Sequence, residues 1–255
     1  MVDTIHLETE NFEISNISHF RVQTDPIHDS NNLFLGHNSQ GQKVFGYAAF
    51  ATHKPKDSHL TQVNFKVSTT HNRKFLTIEI ASLPRILYVH NLFAFDTQWE
   101  FEAAGQELIR ILEKKCISVL DLEELRVTRM DLCYTILTNR EAREYIQKLQ
   151  NTTVTAYSKT VYRSGAEFKS RSKVFAFYDK RLRLKNIREY FGKSYDPFAG
   201  MDSKDNQRRR PMEQCLMRME IQLNSAEIIR KSFGHHLFWG SFLSNTTIQN
   251  LRQFF

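Results

Sequence analysis

The chain has 255 residues, 41% hydrophobic and 25% charged, with a net charge of +7 at pH 7; it can bury a real core, which excludes a disordered or fibrous chain. Phe is frequent at 20, while Gly at 9 and Pro at 5 are sparse, which excludes a long low-complexity linker. No run approaches the ~20 apolar residues of a membrane helix, the start MVDTIHLETENF is no secretory leader, and three scattered cysteines without a CxxC pair suit a reducing, cytoplasmic setting.

Val2–Leu7 alternates weakly and reads as a first strand. Residues 21–42 are polar and turn-rich and read as loop. Lys43–Thr52 and Gln62–Ser68 read as strands, the second with clean alternation. Lys74–Ala81 is another, with Phe75, Thr77 and Glu79 on one face and Leu76, Ile78 and Ile80 on the other. Thr97–Lys115 is the clearest helix: Thr97 caps it, and Phe101, Ala104, Leu108, Ile111 and Leu112 recur at helical spacing.

Leu125–Leu137 is a strand, after which Thr138 or Asn139 caps a helix with Ala142, Tyr145, Ile146 and Leu149 on one face. Val154–Tyr162 and Lys173–Tyr178 read as a strand pair joined by the basic loop Arg163–Ser172. A helix is expected from Asp179 to Tyr190 and a loop over Gly192–Pro211. Gln214–Leu223 is a strand and Ser225–Phe233 a short helix capped by Ser225. The pattern is α+β, a mostly antiparallel sheet flanked by helices. We read residues 1–255 as a single domain, with 1–150 and 151–255 as its sub-lobes.

Three islands set a charge inside or beside an apolar run: Arg129-Met-Asp131, Tyr178-Asp-Lys180 and Arg218-Met-Glu220. A carboxylate in a strand is expensive to bury unless paired or metal-bound. Asp131 and Glu220, each two residues after an arginine, are therefore candidate ligands of Mg²⁺ or Mn²⁺, with Glu79 as a third. The plain alternatives are an Arg129–Asp131 or cross-strand ion pair at a sheet edge, and three unrelated strand charges facing water. A phenol is a poor nucleophile at neutral pH, but a neighbouring cation such as Lys180 lowers its barrier. Two metal-holding acids and a tyrosine beside a lysine are the parts needed to break a phosphodiester by covalent catalysis. The C-terminal half carries most of the basic excess. Arg163, Lys169, Arg171, Lys173 and Arg181, with Arg129 and Arg218 beside the acids, are the candidates for holding DNA phosphates. Walker A, GxSxG, dinucleotide and His-hydrophobe-His signatures are absent.

These islands, in this order and at these intervals, resemble the replication initiators of filamentous phages, the gene II protein family. The likeness runs over roughly residues 74–245: IEIASLPRILYVHNLF, LRVTRMDLCYTI, SRSKVFAFYDKRLRLKN and LMRMEIQLNSAEIIRK. Plasmid rolling-circle initiators are similar at the same islands. The resemblance implies a rolling-circle nicking and joining enzyme with Tyr178 as nucleophile, Lys180 as its electrostatic partner, and a metal on Asp131 and Glu220. Glu79 and His90 are further assignments. It also implies origin DNA as substrate, single-stranded or supercoiled, a host helicase and polymerase as partners, no membrane, and a C-terminal region of the family beyond the length present here. The alternatives are a non-catalytic DNA-binding replication factor, in which Tyr178 stacks or packs, and a plasmid mobilisation relaxase.

Overall fold

Period-two alternation of apolar residues decides most of the elements, and one sheet takes up most of the strands. The computed structural model describes residues 1–27, 32–55, 60–70, 73–88, 94–180 and 215–253. The strands are β1 (Val2–Thr9), β2 (Phe12–Ile14), β3 (Arg21–Gln23), β4 (Leu33–His37), β5 (Lys43–Gly46), β6 (Ala48–His53), β7 (Val63–Thr70), β8 (Arg73–Ile80), β9 (Ile117–Val119), β10 (Arg126–Leu137), β11 (Ser158–Tyr162), β12 (Gly165–Lys169), β13 (Lys173–Asp179) and β14 (Leu216–Leu223). The helices are α1 (Pro84–Leu87), α2 (Gln98–Lys114), α3 (Ala142–Asn151), α4 (Ala226–Phe233) and α5 (Asn245–Gln253).

Ten strands form one sheet in the order β11-β12-β13-β14-β10-β1-β8-β7-β6-β3, every pairing antiparallel. The fold is α+β with a large antiparallel sheet. Outward from the central pair β1 and β10, the two halves have the same plan. The first strand of each half lies at the centre, the next in sequence lies at the rim, and the others return inward one by one. Register extends the correspondence: Glu79 faces His6 and Asn64, and Glu220 faces Cys133 and Ala176. Thr4 and Asp131, two residues before His6 and Cys133, face each other at the middle. Glu79 and Glu220 thus occupy equivalent places.

The core lies on one face of the sheet. Ile5, Leu7, Phe65, Ile78, Met130 and Leu132 pack there against Phe101, Leu108, Ile111 and Leu112 of α2 and Ile229 of α4. Each such fully buried side chain contributes about 1.5–3 kcal/mol. Thr97 forms a capping box with Glu100 at the start of α2, and Ser225 caps α4 by accepting from Ile228 N. On the same side, Ala142 and Ile146 of α3 pack on Met217. No helix cap comes from Thr138 or Asn139; the Thr138 hydroxyl donates to Arg140 O and Cys215 O instead.

Other expectations are corrected. The supposed loop 21–42 contains β3 and β4, short strands with too few residues to show a period. Lys43–Thr52 is two strands in different sheets, separated at Tyr47. The basic loop Arg163–Ser172 contains β12, which lies between β11 and β13, so those two do not pair. Asp179 ends β13 rather than beginning a helix. The remainder of that expected helix, the loop 192–211, and the candidates His90 and Arg181 fall outside the described residues.

Candidate active site on the sheet face away from the described helices

Because strand side chains alternate, Arg129, Asp131, Arg218 and Glu220 turn to the face away from the described helices. Strand β14 presents Arg218, Glu220 and Gln222 there. Across β13 these face Tyr178, Ala176 and Val174; across β10 they face Thr135, Cys133 and Asp131. Tyr178 and Glu220 are diagonal neighbours on adjacent strands, and the phenol donates a hydrogen bond to Glu220 Oε1. Arg218 Nε donates to the same oxygen at 3.0 Å.

Arg218 is the hub. It is 0% exposed, and its Nη2 lies 2.6 Å from Asp3 Oδ2 and 2.6 Å from Cys133 Sγ. Burial works against its charge, but the surrounding Cys133, Asp3, Tyr178 and Glu220 outweigh burial and raise its pKa. Asp3 reaches this cluster because the β1–β10 register slips between Val2 and Thr4. Such a bulge re-aims a side chain. Ser82 Oγ holds the other Asp3 oxygen at 2.9 Å. Arg218, a DNA-contact candidate from the sequence, therefore lies inside the cluster with no exposed surface of its own.

Lys180 follows β13, 1% exposed, with Nζ 5.6 Å from the centroid of the Tyr178 ring. Burial and then the nearby Arg218 charge pull its pKa down to about 7. Burial pushes the Tyr178 phenol well above its ordinary value; Arg218 opposes that shift and Glu220 adds to it. Burial likewise pushes the Cys133 thiol up to about 12, so it remains a neutral thiol. Gly165 faces Tyr178 across β12 and β13. A Cβ at Gly165 would lie 2.5 Å from Phe177 O and 3.0 Å from Tyr178 Cβ, so the absence of a side chain there lets β12 approach the tyrosine.

Asp131 is 4% exposed and sits diagonal to Glu220 on the neighbouring strand, a relation that sets Cβ atoms roughly 7–8 Å apart. Arg129 grips both its oxygens, Nε to Oδ1 at 3.1 Å and Nη2 to Oδ2 at 3.0 Å. Burial still pushes the Asp131 pKa up; Arg129 offsets only part of that. Glu79 lies further off, across β1, where it faces His6. Among the described residues no three His, Cys, Asp or Glu side chains gather as a metal cage. The oxygen donors suit Mg²⁺ or Mn²⁺ in kind, and Asp131 is a buried carboxylate that more positive charge would favour. Asp131 is engaged by Arg129 and Glu220 by Arg218, so a cation there would share these carboxylates with the arginines.

The basic candidates separate into two groups. Arg163 is in the β11–β12 turn, whose Ser164 O accepts from Asp179 N at 2.9 Å, so it sits at the Tyr178 end of the sheet. Lys169 and Arg171 are exposed at the opposite end, and Lys173, half-buried, is turned to the helix side. Asp3, Cys133, Ser82 and Gly165 were missed in the sequence. The acid inside the strand VDTIHL was the available signal for Asp3; nothing local marks the other three.

A family model that describes the N-terminal part of a replication-associated protein, the phage gene II protein, matches residues 17–195. The matched span includes Glu79, Asp131, Tyr178 and Lys180 and stops before β14. No curated protein matches the sequence significantly. Among solved structures, Methanococcus jannaschii TBP aligns over 99% of this chain and 97% of its own at 8% identity and a TM-score of 0.32, too low to carry an argument.

Proposed function

The chain belongs to the phage gene II family of replication-associated proteins, and from that premise we propose that it nicks a DNA strand at a replication origin by attack of Tyr178 on a phosphodiester. A rolling-circle replication initiator acts on origin DNA; the nicking step and its residues are our reading. The observation that carries it is the hydrogen bond from the Tyr178 phenol to Glu220 Oε1 beside the buried cations Arg218 and Lys180. A phenol whose proton already points at a carboxylate is oriented for deprotonation.

In this reading Glu220 takes the phenol proton as the tyrosine oxygen bonds to phosphorus. The bond from phosphorus to the 3′ oxygen breaks, and the departing oxygen recovers a proton to leave a 3′-OH. The 5′-phosphotyrosine bond conserves the energy of the broken one, so attack by a 3′-OH rejoins the strand without ATP. Lys180, as ammonium, neutralises charge gathering on the phenol oxygen, and Arg218 holds Glu220 in place. Arg163 lies at the right end of the sheet to hold a flanking phosphate. Asp131 and Glu220 are the residues that would hold Mg²⁺ or Mn²⁺, which would supply positive charge to the phosphate. The free 3′-OH would serve a host polymerase, with a helicase opening the duplex ahead.

A second reading has support of its own. Tyr178 is half-buried and burial raises its pKa, as for a structural tyrosine in a DNA-binding replication factor. A denaturing gel of the protein with single-stranded and supercoiled origin DNA, with and without Mg²⁺ or Mn²⁺, separates the two. A covalent adduct that vanishes in Tyr178→Phe supports the nickase. Binding without adduct in either protein sinks it. A plasmid mobilisation relaxase would share the adduct and differ only in which DNA is nicked.

A further inference from the structure

The same face of the sheet carries an open groove of about 670 Å³ at the end away from Arg163. His6, Thr128, Arg129, Lys169, Gln222 and Asn224 line it, and Val174 forms part of its floor. Val174 and Tyr178 point the same way from β13, four residues apart, which is about 13 Å at ~3.3 Å per residue. The groove and the tyrosine therefore lie on the same face of the sheet.

Its chemistry is divided in a way that suits a nucleotide. The exposed Lys169 provides positive charge, joined by Arg129, which also holds Asp131, and opposed by one carboxylate, Glu167; such charge takes phosphate without regard to sequence. Gln222 and Asn224 provide two amides, each with donor and acceptor in one plane, the groups that pair with the edge of a base. Among the described residues neither amide has a side-chain hydrogen-bond partner, so both are available. Thr128 is occupied, its hydroxyl donating to His6 O at 3.3 Å. The volume is that of a small-ligand cleft, enough for one nucleoside and its phosphate.

We propose that this groove holds one nucleotide of the strand that Tyr178 attacks, and that Gln222 and Asn224 read its base. The inference rests on the nicking reading for which strand is held, and it assigns part of the sequence preference to a place distinct from the reacting tyrosine. Lys169 fixes the phosphate, and the amides distinguish the base. A base that mismatches both amides leaves them unpaired in the groove and binds more weakly.

The test is enrichment from a randomised single-stranded DNA pool by binding, performed with the wild-type protein, Gln222→Leu, Asn224→Asp and Lys169→Ala. Wild type should enrich one base at one position at least about tenfold, the equivalent of about 1.4 kcal/mol. Gln222→Leu should lose that enrichment. Asn224→Asp, which converts a donor-acceptor amide into an acceptor, should change the favoured base toward one offering an amino group, a result that mere loss of structure would not produce. Lys169→Ala should weaken binding to all sequences alike. The same enriched base in wild type, Gln222→Leu and Asn224→Asp would overturn the proposal, as would no enrichment by the wild type. Adduct formation is scored separately on the enriched DNA. Enrichment that follows the variants without any adduct leaves the groove and removes the nickase; an adduct with invariant enrichment does the reverse.

Discussion

Tyr178 and Glu220 meet across β13 and β14 through a hydrogen bond from phenol to carboxylate. Arg218, opposite Tyr178 in register and two residues before Glu220, holds the carboxylate from behind. The tyrosine is thus hydrogen-bonded to a carboxylate that is itself fixed by a buried guanidinium.

Replacing Glu220 by Gln keeps the shape and removes the proton acceptor. General-base help of this type is worth about 10²–10⁴-fold, so the rate of covalent adduct formation should fall by that order while DNA affinity changes little. Tyr178→Phe should abolish the adduct. An adduct rate in Glu220→Gln within twofold of wild type would remove the carboxylate from this role; quenched time courses on denaturing gels give the measurement.

Lys180 gives a pH signature. Its pKa in the folded protein is pulled down from 10.5 to about 7 by burial and Arg218. Below pH 7 it carries an ammonium, and if that charge assists the proposed attack, adduct formation should decline as pH rises through about 7. Lys180→Arg, which stays charged, should remove that decline; a rate that climbs through the same range would make Lys180 a base instead. Stability has the matching sign. Between pH 7 and 10.5 the unfolded chain binds more protons at this group, so stability rises with pH there. Lys180→Met should raise the melting temperature more at pH 6 than at pH 10.

Arg218 is surrounded by Asp3 and Glu220 with no exposed surface of its own. Arg218→Met strands the buried Asp3 and the partly buried Glu220 and should cost about 3–5 kcal/mol in urea unfolding. Adding Asp3→Asn should restore part of the loss, because one stranded charge is removed. Equal, additive losses in the double variant would mean the two residues do not interact.

Gly165→Ala places a Cβ 2.5 Å from Phe177 O and 3.0 Å from Tyr178 Cβ. The strand must move, at about 1–3 kcal/mol, and Tyr178 moves with it. Adduct yield should drop while binding to single-stranded DNA persists. Unchanged yield would show that the tyrosine tolerates the displacement.

If Asp131 holds a divalent ion, millimolar Mg²⁺ or Mn²⁺ should raise the melting temperature, since a ligand that binds only the folded state stabilises it. Asp131→Asn should cancel the rise. A rise of equal size in both proteins would locate the ion elsewhere.

Much of this arrangement was legible in the chain. Clean alternation in KFLTIEIA and LMRMEIQL located β8 and β14, and the 3.6-residue spacing from Phe101 to Leu112 located α2 with its Thr97 cap. The charged islands Arg129-Met-Asp131, Tyr178-Asp-Lys180 and Arg218-Met-Glu220 stood out because ionic groups interrupt strands only at a cost. Short β3 and β4 escaped because three to five residues show no period. Strand β12 was concealed by the basic residues around it, which composition assigned to a loop.

The sequence by itself determined which residues are apolar, which strands alternate, and therefore that Asp131, Tyr178, Arg218 and Glu220 could each share a face with similar groups. Only the tertiary structure decided who meets whom. Strand order and register are long-range properties: Cys133 faces Glu220 and Tyr178 faces Arg218 because β10, β14 and β13 are adjacent, a fact no local pattern encodes. Burial was settled the same way. Arg218, read as a DNA contact, became the buried cation of the cluster once Asp3, brought in by a bulge from more than two hundred residues away, closed on it. A charge is exposed or enclosed according to what the rest of the chain places around it, and that follows from packing rather than from its neighbours in sequence.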